Sequence, residues 1–198
     1  VEELRRLAGI LYDHEPALYP EDVWDETLDI RIARVVGGYG SGKEEEYARA
    51  VLSGLHLWNE SLDKSHTLSQ GIHNPTGSYW HGIMHRMEGD YSNAKYWFHR
   101  VGNHPVFPLL HAKVREILAG LEPQPWKPAE PLGGMLRSLE SAPTWQPELF
   151  IDCVRLQVSS LRDQEAERHL RRIQRMELML LLEYSYGQAF GGRLFDGA

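Results

Sequence analysis

With 198 residues, of which 42% are hydrophobic and 25% charged, the chain carries enough apolar material for one core and too much for a disordered polypeptide. Its 21 basic and 28 acidic residues leave a net charge of −7, which disfavours a nucleic-acid backbone as the main partner. The lone Cys153 allows no intrachain disulfide, residues 1–20 lack a basic-then-apolar leader, and the longest apolar run, Leu178 to Leu182, is far short of the ~20 residues that span a bilayer. These features predict an all-α, cytoplasmic protein, a single helical domain over residues 1–198, with no membrane or nucleic-acid partner.

Between Val23 and Val36, the apolar residues Trp24, Leu28, Ile32, Val35 and Val36 recur at three- and four-residue spacing, which predicts a helix. Gly37 and Gly38 end it, and a second helical pattern starts near Lys43, buries Tyr47, Val51, Leu55, Trp58 and Leu62, and runs on, with room for a kink, toward Gln70. Asn74, Pro75 and Gly77 break that pattern. Tyr79 to Glu88 then reads as a helix with Trp80, Ile83, Met84 and Met87 facing inward, followed by a Gly89-Asp90 turn and a helix lined by Tyr91, Ala94, Trp97, Phe98 and Val101. Two helices joined so tightly must form an antiparallel hairpin. Pro105 opens a further helix to about Ala119. Six prolines between 122 and 147 predict one long irregular connection, pinned by Trp126 and Trp145 and open to reading as a packed connector or a wrapping arm. Phe150 to Ser160 and Asp163 to about Ala189 supply the last helices, the final one apolar all round from Leu178 to Leu182 and hence central. No stretch alternates with a period of two, so no strand is expected.

Several groups carry possible chemistry. Gly37 to Lys43 matches the start of a phosphate loop, but Glu44 stands where a magnesium-binding hydroxyl belongs, and the preceding pattern is helical, so the stretch reads as a helix-ending turn. His81 and His85, four apart, and Glu88 project from the side opposite Trp80 and Ile83; such a trio can ligate zinc or iron, and such spacing also occurs on plain solvated faces. In the preceding helix His56, Glu60, Asp63, His66 and Gln70 form one stripe, and Asp63 with His66 has the carboxylate–histidine spacing of metal-binding bundles. If the two stripes face each other, Asp63, His66, His81 and His85 converge as metal ligands; if both face solvent, they do not.

Glu177, on an otherwise apolar face, needs a partner: either it serves, as Glu60 or Glu88 could, as a further ligand or proton carrier, or it pairs with an arginine. The aromatic and polar run from Asp90 to Trp97 suits a ligand wall or a core face, with Lys95 and His99 projecting outward. Cys153 reads as a small core hydrophobe.

Two resemblances follow from these residues. Gly82, Glu88-Gly89-Asp90-Tyr91, Ala94, Phe98 and Pro105 resemble one tetratricopeptide helix hairpin, with His81 and His85 where that family usually has Leu and Tyr. Ser65-His66-Thr67-Leu68-Ser69-Gln70, Ser78 to Arg86 and Gly89 to Phe98 are similar to an uncharacterised helical family of bacteria and fungi; this covers about a fifth of the chain and implies no activity. The sequence therefore supports a helical-bundle protein with a His/carboxylate site for a divalent metal, zinc or iron, suited to hydrolytic or oxidative chemistry on a small molecule or peptide. The alternative is a noncatalytic tetratricopeptide-like module whose hairpin and 122–147 segment present a peptide-binding surface.

Overall fold

Short polar side chains set the helix starts. Asp25, Asn74, Asp90 and Asp163 each accept a hydrogen bond from the backbone amide three residues on, satisfying a donor that a helix leaves free at its first turn. The computed structural model describes residues 1–35, 42–120 and 128–195. Among them lie ten α-helices and no strand: α1 (Glu2–Leu11), α2 (Glu26–Ala33), α3 (Lys43–Trp58), α4 (Leu62–Ser69), α5 (Pro75–Met87), α6 (Tyr91–Val101), α7 (Val106–Ala119), α8 (Leu132–Ser141), α9 (Pro147–Leu156) and α10 (Gln164–Phe190). A π-turn, Gln157–Leu161, follows α9. No described helix is long and apolar enough to cross a membrane.

The C-terminal helix α10 is central, as its all-round apolar run requires; it packs on α3 and α7, and Ile173, Leu178, Leu181 and Leu182 have no exposed surface. Even more enclosed is α5, every residue of which from Thr76 to Met87 is buried. Close approach is possible because glycines stand at the crossings. A Cβ on Gly54 of α3 would lie 2.6 Å from the Trp80 ring and 2.9 Å from Leu182, and one on Gly82 of α5 would lie 2.8 Å from Phe98 of α6. The α5–α6 pair forms the expected antiparallel hairpin, with Gly89 at φ +84° in the turn.

Polar contacts fix α5 on α10. The Arg86 guanidinium donates to Glu177 Oε2 at 2.6 Å, Tyr79 Oη donates to Glu177 Oε1 at 3.0 Å, and Trp80 Nε1 donates to Ser185 Oγ at 3.2 Å. Both members of the ion pair are fully buried, and Arg86 also lies 4.7 Å over the Phe150 ring. Burial of Tyr79 pushes its hydroxyl well above its ordinary range, and the adjacent Glu177 carboxylate adds to that shift.

Four expectations change. The helix expected from Val23 starts only at Glu26, because Asp25 caps it; Trp24 lies before it and stacks on His14 at 4.0 Å. The pattern running to Gln70 is two helices, broken at Glu60, which takes a left-handed φ of +62° and holds the N-terminal segment by accepting from Ala17 N and pairing with His14 Nε2, both at 2.9 Å. Asn74-Pro75 ends no helix; it begins α5, Asn74 as cap and Pro75 where no amide donor is needed. The proline-rich stretch is not one irregular connection, since α8 occupies 132–141; Trp145 is buried at its end, while Trp126 lies outside the described residues. The segment Gly37 to Ser41 also lies outside them. The N-terminal α1, with Leu4, Leu7, Ala8 and Leu11 buried, is a helix beyond the expected elements.

The buried pair dictates the cost of its loss. Arg86→Met leaves Glu177 charged and unpaired in the core and should destabilise the protein by about 3–5 kcal/mol; the triple variant Tyr79→Phe/Arg86→Met/Glu177→Leu should recover most of that, as read from denaturant midpoints. A second prediction concerns His104, which is 4% exposed. Its Nδ1 accepts from Val106 N at 3.2 Å, so the proton sits on Nε2 and is donated to Thr76 Oγ1 at 3.0 Å. Burial, here beside Tyr79, Phe107 and Tyr184, pushes its pKa down from 6.5 to about 4. The folded form resists a proton that the unfolded chain takes up, so this stabilisation is complete above pH 6.5 and is lost as pH falls toward 4, at a cost of up to about 3 kcal/mol. Denaturation at pH 7.5 and 4.5 should show His104→Gln keeping a larger share of its neutral-pH stability than the wild type; an equal loss would show that His104 does not contribute.

Candidate metal centre

The face of α5 turned away from α10 carries His81 and His85, one helical turn apart. Because α5 is enclosed on every side, both imidazoles are buried, at 4% and 6% exposure, rather than lying on a wet face. Across from them α4 is docked on α3 through two small side chains, with Ser53 Oγ 3.0 Å from Ser65 Oγ. That contact turns the next residue, His66, toward α5. The ring centroids of His66 and His81 are 4.8 Å apart, those of His81 and His85 4.8 Å, and those of His66 and His85 5.7 Å. One nitrogen from each of the three lies within 4.8 Å of the others, so these groups could hold a metal ion.

Dimensions support that fit. With nitrogen–metal bonds of ~2.0–2.1 Å and tetrahedral angles, imidazole centroids around one ion lie roughly 5 Å apart. The nitrogens themselves would close to about 3.3 Å, a change within the reach of side-chain rotation. His81 Nδ1 is buried without a hydrogen-bond partner, a state that ordinarily costs about 1–3 kcal/mol. Burial first, then the neighbouring His85 and His66, push the His81 pKa down to about 4, so its ring is neutral and keeps a lone pair at physiological pH.

Two further groups complete the surroundings. Glu88 lies 2.6 Å from His85 Nδ1, an arrangement in which the carboxylate accepts the Nδ1 proton and leaves the Nε2 lone pair free for a ligand. The Trp97 indole stacks on His81 at 4.0 Å with an interplanar angle of 14°, and the Arg100 guanidinium lies 5.4 Å over that indole. His81 is thus held between Trp97 and His85, which restricts its rotation.

Of the predicted site residues, His66, His81 and His85 meet, and Glu88 backs His85. Asp63 is exposed in the first turn of α4 and stands outside the trio, where its charge complements the helix N-terminus. Glu60 faces the N-terminal segment instead. Glu177 lies in the α5–α10 interface with Arg86 and Tyr79. His85, Glu88 and Asp90 form a second grouping, but an oxygen of Asp90 is engaged in capping α6, accepting from Asn93 N and Ser92 Oγ at 3.1 Å each. Lys95 pairs with Asp152 at 2.8 Å. Cys153 is buried, and burial, with a smaller effect of Asp152, pushes its thiol up to about 12, out of the range of a nucleophile.

Trp97, in the run expected to form a ligand wall or a core face, lines the trio by stacking on His81. Asp29 and His56, both buried, and the exposed Lys64 also meet, a grouping that members 27 and 8 residues apart do not announce in the sequence. No family model, curated protein or solved structure matches the chain.

Proposed function

We propose that this protein binds one divalent transition-metal ion through His66, His81 and His85, and that the ion activates water for hydrolysis. The observation that supports this reading is the meeting of three imidazoles from two separate helices within 4.8 Å, one of them backed by a carboxylate. Three imidazole nitrogens are a donor set of catalytic zinc, in which a water takes the fourth position and ionises near pH 7. His66, the most exposed of the three, marks the side from which water and substrate enter.

The test is equilibrium dialysis of untagged protein against zinc, with bound metal measured by mass spectrometry. One ion per chain is expected. His66→Ala, a change at a half-buried position, should abolish binding, and Glu88→Gln should weaken it by about 10–100-fold. A wild-type chain that binds no zinc and no iron overturns the proposal. Metal binding without metal-dependent turnover of ester and phosphoester probes would retain the site and overturn the hydrolytic role.

A further inference from the structure

A second polar cluster lies on the other side of α4. Helical periodicity places Lys64 and Leu68 on the face opposite His66, and there they form one wall of a cavity of about 260 Å³ between α2, α3 and α4. The cavity has two chemically distinct ends. Because α3 and α4 run antiparallel, Leu52 of α3 stands beside Leu68 of α4, with Ile32 and Ala33 of α2 closing an apolar end. One turn away, His56 and Lys64 form the polar end, and behind them lies Asp29, 6% exposed.

Asp29 organises that end. Its Oδ1 is 2.6 Å from His56 Nδ1 and its Oδ2 is 2.6 Å from Lys64 Nζ. Burial raises the Asp29 pKa, but the hydrogen bonds from Lys64, His56 and Ser61 outweigh it, so the group stays ionised. A carboxylate at Nδ1 accepts the ring proton and fixes the tautomer, so the neutral His56 ring presents Nε2 as an acceptor. No described residue pairs with that nitrogen. Lys64 retains N–H donors beyond the one given to Asp29. A lone-pair nitrogen, an ammonium and an apolar recess next to each other match one functional group: a hydroxyl, which donates through hydrogen and accepts through oxygen, on a compact hydrocarbon body.

We propose that this cavity is a binding site for a small phenol, with the hydroxyl donating to His56 Nε2 and accepting from Lys64 Nζ, and the ring lying among Leu52, Leu68, Ile32 and Ala33. The volume lies just below the usual range of drug-sized ligand sites, which favours a single ring over a larger molecule. A carboxylate fits poorly, because it brings no proton for Nε2 and would face the Asp29 charge.

Phenol and toluene, which differ only by the hydroxyl and a methyl group, are the probes. In titrations followed by the methyl NMR signals of Leu52 and Leu68, phenol should bind saturably, and toluene should bind roughly tenfold more weakly, the worth of about one net hydrogen bond to the site. Leu52→Trp, which fills the recess, should abolish phenol binding and leave zinc uptake at the histidine trio unchanged. Ala33→Trp, placed at an exposed rim position, serves the same purpose should the first variant fail to fold. The proposal is overturned if phenol does not saturate, if toluene binds as tightly, or if a folded filled variant binds phenol like the wild type.

Discussion

The Arg86–Glu177 pair is the constraint on which the rest of the arrangement depends. Two opposite charges, both without exposed surface, tie the middle of α10 to the last turn of α5. Desolvating such a pair costs several kcal/mol per ion, so the pair contributes geometry more than net stability. Here the geometry is rotational. Tyr79 and Arg86, seven residues apart and therefore on one face, both reach Glu177, and Trp80 reaches Ser185. A helix held at both ends of one face cannot turn about its axis, and His81 and His85 are thereby directed at α4 and α6.

The histidine trio is thus built from parts of unequal origin. The His81–His85 spacing belongs to α5 alone and was visible in the sequence, as was the stripe that supplied His66. Asp63 shared that stripe, but a side chain in the first turn of a short surface helix is turned to solvent, and the i,i+3 spacing says nothing of how far the next helix lies. The buried acid at position 177 was also legible, because it interrupts an apolar face; its partner was not, for Arg86 is 91 residues distant and one of many arginines. Asp29, His56 and Lys64 show the same limit, since each looks like an ordinary polar residue until α2, α3 and α4 are packed.

Fold class was easier to read than element boundaries, for a physical reason. Helical periodicity survives over many residues, whereas starts and stops depend on single caps. The α3–α4 break turns on Glu60, whose left-handed backbone is sustained by contacts to His14 and Ala17 more than forty residues earlier. Prolines misled in the opposite direction: Pro131 and Pro147 stand at the N-termini of α8 and α9, where a missing amide costs nothing, so a proline-rich stretch brackets helices instead of forbidding them.

The unequal anchoring of α4 and α5 bears on ion choice. Within the eight residues of α4 only Ser65 and Ser69 are buried, and it is held by the Ser53–Ser65 contact, the Lys64–Asp29 pair and the half-buried Leu62, whereas α5 is buried from Thr76 to Met87. For any ion held by the trio, two donors would come from the enclosed α5 and the third from the shorter, more exposed α4. Such a helix can follow changes in ionic radius, so size would discriminate weakly among first-row metals. Preference would then follow the intrinsic affinity order of these metals and the supply of each in the surroundings, rather than a cavity cut to one ion.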